Sequence, residues 1–172
     1  RSARVLPWRE DPSPYRVWIS EIMLQQTQVI TVKPYFDRFI ERFPTVEALS
    51  QSDLDSVYES WAGLGYYSRA RNVHKAAKEI VKLGGYPSTR EGWLEIPGVG
   101  TYTAGAILSI AFGKPEALVD GNVERVFSRL FRISRSRLGE KNYKEEMWTH
   151  ARRMVSDAYA SKLRPSDLNQ AW

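Results

Sequence analysis

The sequence predicts an all-α protein. Apolar residues recur at helical spacing while strand-like alternation is scarce, and capping residues, prolines and glycines punctuate the chain at helix-length intervals. Ser13 is a candidate N-cap with Pro14 at the first helical position, opening a helix expected to run to about Val32. Pro34 to Phe43 reads as a second helix whose apolar face is Tyr35, Phe36, Phe39, Ile40 and Phe43. Thr45 caps a short turn. Ser52 with Asp55 resembles a weak capping box for a helix ending at Gly63. The next helix starts near Tyr66 and stops at Gly84-Gly85. Further helices fit Gly92–Glu95, Thr101–Phe112, Gly121–Ile133 and Tyr143–Tyr159, and Ser166 is a candidate cap for one beginning at Asp167. The Gly113–Val119 connection separates a main helical bundle from a second lobe.

At 172 residues the chain can bury one good core, or two small lobes. Its net charge of +5 suits a polyanionic partner, although many basic proteins bind none. No signal-peptide pattern opens the chain, and no window approaches a transmembrane length. With no cysteine it holds no disulfide, zinc–thiolate site or iron–sulfur cluster of its own. His74 and His150 lack metal-ligand spacing and are assigned to structure or surface.

Four constellations carry chemistry. In Leu94–Tyr102, Pro97 and the alternating Gly98 and Gly100 separate a short apolar segment from a helix starting at Thr101. The free N–H groups at that helix start form an anion site, so a helix–hairpin–helix here would grip a phosphate without reading a base. Pro-Gly-Val-Gly alone equally makes an ordinary inter-helix turn. On the apolar first helix, Glu21, Gln25 and Gln28 fall in a narrow polar arc. Desolvation there would favour protonated Glu21, suiting a general acid, while the plainer reading is the solvent edge of a core helix.

Asp120 precedes Gly121-Asn122 at a helix start, where dipole and amides favour its ionised form. Capping alone would also explain it. Together, one protonated and one ionised carboxyl are what glycosidic cleavage requires. Lastly, Trp61–Asn72 sets Tyr66 and Tyr67 between glycines and the cations Arg69 and Arg71, with Lys75 and Lys78 beyond. Tyrosines stack on bases and the cations neutralise phosphates, unless the tyrosines are core and the charges a solvated face.

With these residues collected, the chain closely resembles the MutY-type adenine DNA glycosylases of the helix–hairpin–helix base-excision superfamily over nearly its whole length. The likeness rests on Leu6-Pro7-Trp8-Arg9, the block from Ser20 to Gln28, Gly63-Leu64-Gly65-Tyr66-Tyr67, Pro97–Gly100, Asp120-Gly121-Asn122-Val123 and Asn169-Gln170-Ala171. It implies a six-helix bundle over 6–113 with the hairpin at about 92–112, and a second lobe from 1–5 and 114–172. It implies that Glu21 protonates adenine, Asp120 stabilises the oxocarbenium ion, Asn122 orients both acids and Tyr102 lies beside the scissile nucleotide. Trp8, Arg9 and Gln170 match the adenine pocket, and Leu24 and Gln25 belong to the same substrate-contacting block. Gln26 and Tyr66 match residues that fill the helix when adenine is flipped out. Amides around Gly98, Gly100 and Thr101 would hold a phosphate, with a monovalent cation on hairpin carbonyls.

The implied partner is double-stranded DNA with adenine opposite 8-oxoguanine or guanine, bound by a monomer away from membranes. The implied location is the bacterial nucleoid, or the nucleus or mitochondrion of a eukaryote. Related lyases carry lysine where this chain has Tyr102; an amine forms a Schiff base with the sugar and a phenol does not, so the resemblance implies base removal without strand cleavage. Three departures stand out: Glu124 replaces the usual lysine, the Gly84–Pro87 loop is shorter, and a [4Fe–4S] cluster is expected on cysteines beyond Trp172. The rival expectations are a thymine-mismatch glycosylase and a non-catalytic DNA-binding module.

Overall fold

The computed structural model describes residues 6–165 together with Asp167 and Asn169. The described residues form ten helices and no strand, as the pattern predicts. In chain order they are α1 (Pro7–Glu10), α2 (Pro14–Leu24), α3 (Val29–Arg42), α4 (Val46–Gln51), α5 (Leu54–Trp61), α6 (Tyr67–Lys82), α7 (Arg90–Leu94), α8 (Thr101–Ile110), α9 (Gly121–Leu130) and α10 (Arg135–Ala160). They divide into two compact units, Arg1–Ile107 and Leu108–Trp172, and the division falls inside α8. No helix among the described residues is long and apolar enough to cross a membrane.

In the first unit most of α2 is buried. The Ser13 hydroxyl accepts from the Arg16 amide and Pro14 occupies the first turn, as expected. Trp18, Ile19 and Met23 of α2 are fully buried, as are Phe36 and Phe39 of α3, Leu49 of α4, Trp61 of α5, Ile80 of α6 and Trp93 of α7. The Tyr15 hydroxyl donates to the Phe43 carbonyl at 2.7 Å, fixing α2 against the end of α3. Burial pushes the Tyr15 phenol well up, so it remains a donor at neutral pH. Trp8 of α1 is buried edge-on against Phe36 at 5.2 Å, and Arg16 donates to the Pro7 carbonyl at 3.1 Å.

Several boundaries differ from expectation. The first helix stops at Leu24 rather than Val32: Gln25 leaves the helical region and Gln26 takes a left-handed φ of 56°. The next helix begins at Val29, five residues before Pro34, which it carries inside. Thr45 caps a true helix, its hydroxyl accepting from Ala48. Asp53, not Ser52, caps α5, because its carboxylate takes both the amide and the hydroxyl of Ser56, at 2.7 and 2.8 Å. Helix α8 ends at Ile110 and α9 at Leu130, each earlier than expected. The last helix reaches back to Arg135 but is interrupted at Gly139, whose φ of 72° is open to glycine. The expected cap Ser166 lies outside the described residues.

The second unit has its own core. Val123 and Phe127 of α9 pack with Tyr143, Met147, Ala151 and Val155 of α10 and with Ala117. The i, i+4, i+8, i+12 spacing of the α10 residues makes one continuous apolar stripe. His150 stacks on Phe131 at 4.0 Å and faces Glu146 at 3.6 Å, a surface-structural role as expected.

Candidate functional site

The hairpin is built as its sequence dictates. Thr89 caps α7 by accepting from the Gly92 amide, and Trp93 anchors α7 in the core with Tyr86 stacked on it. A turn closes where the Val99 amide donates to the Ile96 carbonyl at 3.1 Å. Buried Ile96 and Val99 hold the base of the turn inside and leave Gly98, Gly100 and Thr101 exposed. Gly98 sits at φ 81°, and a Cβ there would stand 2.9 Å from the Cβ of Asn72 on α6. Conformation and space both demand glycine. The Ala104 amide is bonded to the Gly100 carbonyl at 2.9 Å, so the amides just before it lead the helix. Arg90 ties the two hairpin helices together by donating to the Thr101 carbonyl at 3.3 Å.

Glu21 lies on α2 three residues before its end, half-buried, between buried Ser20 and buried Ile22. The expected arc with Gln25 and Gln28 does not form on one helix, because the chain turns at Gln25 and Gln28 caps α3 instead. Leu24 and Gln25 are half-buried, Gln26 is exposed. Tyr102, second residue of α8, is 38% exposed. Arg9 is exposed on α1, whereas Trp8 beside it is buried. Gln170 lies outside the described residues.

The aromatic-basic segment separates into two kinds of residue. Tyr66 stands just ahead of α6 at φ 50° and is 59% exposed, while Tyr67 meets Tyr58 edge-on at 5.7 Å. Arg71, Lys75 and Lys78 line one exposed face of α6. Arg69 does not join them, which corrects its assignment to phosphate. Its side chain is buried, its Nη1 donates to the carbonyls of Ile22, Met23 and Gln25, and its Nη2 donates to Leu64, Gly65 and the Thr27 hydroxyl. Its guanidinium also lies 5.6 Å from the Trp61 ring and 5.3 Å from the Tyr66 ring. Burial pulls its proton affinity below the ordinary arginine value, yet a guanidinium this basic stays charged. A signal for its burial was present: Val73, Ala76, Ala77 and Ile80 follow Arg69 at helical spacing on one buried face. Nothing local in the sequence pointed to Asn72 behind Gly98.

In the second unit Asp120 caps α9. Its Oδ1 accepts from the amides of Asn122 and Val123 at 2.9 and 2.8 Å, and its Oδ2 accepts from the Asn122 side chain at 3.4 Å. Glu124, where a lysine was the usual residue, pairs with Arg135 at 3.0 Å. No group of histidine, aspartate and glutamate among the described residues could hold a metal ion, and the chain has no thiolate to give an iron–sulfur cluster.

An all-helical fold with a glycine hairpin presenting helix amides, and a capping aspartate opening a later helix, defines a helix–hairpin–helix protein. The chain belongs to the HhH-GPD superfamily of base excision DNA repair proteins, whose pattern matches residues 19–156. It is 46% identical over 147 residues to the adenine DNA glycosylase of Buchnera aphidicola subsp. Baizongia pistaciae, covering 84% of this chain and 41% of that protein. To the human adenine DNA glycosylase it is 44% identical over 179 residues, covering 98% of this chain and 32% of that one. The chain thus spans less than half the length of these relatives. Among solved structures, a thermostable thymine-DNA glycosylase superposes with a TM-score of 0.81 at 30% identity, covering 95% of this chain and 76% of that one.

Proposed function

We propose that this chain is the catalytic region of a monofunctional adenine DNA glycosylase. The observation that carries the reading is the 44–46% identity to adenine DNA glycosylases, over 84% and 98% of this chain. In this reading Glu21 delivers a proton to the adenine, which leaves as a neutral base. The Asp120 carboxylate stabilises the positive sugar left behind, and Asn122, hydrogen-bonded to Asp120, orients it. Hydrolysis by water then leaves an abasic site. Tyr102 stands beside the scissile nucleotide; its phenol forms no Schiff base, so the strand stays whole.

The hairpin amides of Gly98, Gly100 and Thr101 hold a DNA phosphate, and Arg71 adds charge from α6. Hairpin carbonyls keep second lone pairs for a monovalent cation. Gln26 and Tyr66, exposed and left-handed, fill the space vacated by the flipped nucleotide, while Trp8, Arg9, Leu24 and Gln25 contact the adenine. Residues 6–113 serve as the bundle and 114–172 with 1–5 as the second lobe. A [4Fe–4S] cluster would draw no ligand from residues 1–172.

The likeness to a thymine-DNA glycosylase supports a second reading, excision of thymine opposite guanine. Single-turnover assays on duplexes with adenine opposite 8-oxoguanine, adenine opposite guanine, or thymine opposite guanine decide between them. Alkali-dependent breaks at adenine alone support the first reading. Breaks at thymine alone support the second, and no base release from any duplex, with binding retained, leaves a DNA-binding module.

A further inference from the structure

The two residues read as helix-fillers share an unusual backbone and a common neighbour. Gln26 and Tyr66 both adopt left-handed φ, at 56° and 50°, a costly conformation for residues with a side chain. The peptide carbonyl immediately before each of them is held by one guanidinium: Arg69 Nη1 donates to Gln25 O at 2.6 Å and Nη2 donates to Gly65 O at 3.2 Å. The same group also holds the last carbonyls of α2, the Leu64 carbonyl and the Thr27 hydroxyl. One buried cation therefore joins the loop just ahead of its own helix to a segment 44–47 residues before it in the chain.

We propose that Arg69 is a positioning residue that locks the 25–28 turn and the 63–66 loop into one body, so that Gln26 and Tyr66 enter DNA together as a two-point wedge. This rests on the glycosylase reading above. A guanidinium is suited to the task because its planar fork reaches acceptors on both sides at once. An ammonium concentrates its three donors on one atom and cannot satisfy both segments. The device also links wedge to anchor: Asn72, one turn beyond Arg69 on α6, is the residue packed against Gly98 of the hairpin.

The test uses the intact protein and two duplexes with the target adenine opposite 8-oxoguanine, one fully paired at the flanks and one with the adenine inside an unpaired stretch. Unstacking is already done in the second, so a wedge defect is relieved there and a folding defect is not. Arg69→Lys is expected to lower single-turnover excision roughly tenfold or more on the paired duplex, as displacement of a positioned group does. The loss on the unpaired duplex is expected to be far smaller. The fluorescence rise of 2-aminopurine at the target position should fall in parallel. Thr27→Val, which removes one acceptor of the brace at nearly constant volume, should give the same duplex-selective loss at smaller size and carries the test if Arg69→Lys does not fold. Equal losses on both duplexes, or none on either, overturn the proposal. Retention of adenine by the unsubstituted protein in both duplexes rejects the glycosylase reading instead, and the 2-aminopurine signal then still decides the wedge.

Discussion

One carboxylate oxygen of Asp120 accepts both the Asn122 and the Val123 amides, while its other oxygen faces the Asn122 side chain at 3.4 Å. In the proposed reading, capping and chemistry are divided between two atoms of one group. An amide at this position keeps the capping oxygen and loses the charge. Asp120→Asn is expected to melt within a few degrees of wild type, because asparagine caps as well as aspartate. Excision should nevertheless fall steeply in a single-turnover assay. A parallel loss of melting temperature would assign Asp120 to capping alone.

Glu21→Gln removes a proton source and no phosphate contact. Excision of adenine is expected to drop by roughly 10²–10⁴-fold, the usual worth of a general acid. Affinity for the same duplex, measured by gel shift or anisotropy, should hold. Wild-type turnover by this variant would end the role proposed for Glu21.

Gly98→Ala faces two costs. The left-handed backbone alone costs an alanine about 1–2 kcal/mol. The new Cβ would also stand 2.9 Å from the Asn72 Cβ. Because that nearest atom is a Cβ, Asn72→Ala leaves the clash in place and is expected not to restore Gly98→Ala. Melting curves and DNA affinity of the single and double variants check this. Full rescue by Asn72→Ala would show that the amide end, at 3.2 Å, was the obstacle.

Strand integrity reports on Tyr102. Product duplexes are expected to stay unbroken until alkali is added, and borohydride should trap no covalent adduct, since no amine is supplied at this position. Breakage without alkali would contradict the monofunctional reading.

Asp53 gives a pH signature for the first unit. The Ser56 amide, and then the Ser56 hydroxyl, hold its carboxyl below the usual range. A group depressed in the folded state stabilises above its unfolded value and loses that contribution as pH falls through its folded value. The melting temperature of Asp53→Ala should therefore lie below that of wild type at neutral pH, with the gap closing once pH drops below about 4. A gap that persists undiminished into acid would point to a cause other than the carboxylate.

The parts legible in the sequence were the locally determined ones. Ser13 with Pro14, Thr101 after the hairpin and Asp120 ahead of α9 each announce a helix start within a few residues. The end of α2 is illegible in the sequence because its apolar pattern runs on, and the carbonyls around that end are held by a cation arriving from α6. Arg69 and Arg71 look equivalent as letters, yet a helix turns them about 200° apart, one into the core and one into solvent. Ser52 and Asp53 are both capping residue types ahead of α5, and only the approach of the Ser56 amide and hydroxyl makes Asp53 the cap.

The distribution of tryptophan has a practical consequence. Of six in the chain, Trp8, Trp18, Trp61 and Trp93 all lie in the first unit and are buried there. Trp148, in the second unit, is half-buried. Intrinsic fluorescence is thus weighted toward dry indoles of a single unit, so the chain carries its own optical label for that unit. Emission shifts would follow its opening during unfolding, while circular dichroism, fed by helices of both units, would follow the whole.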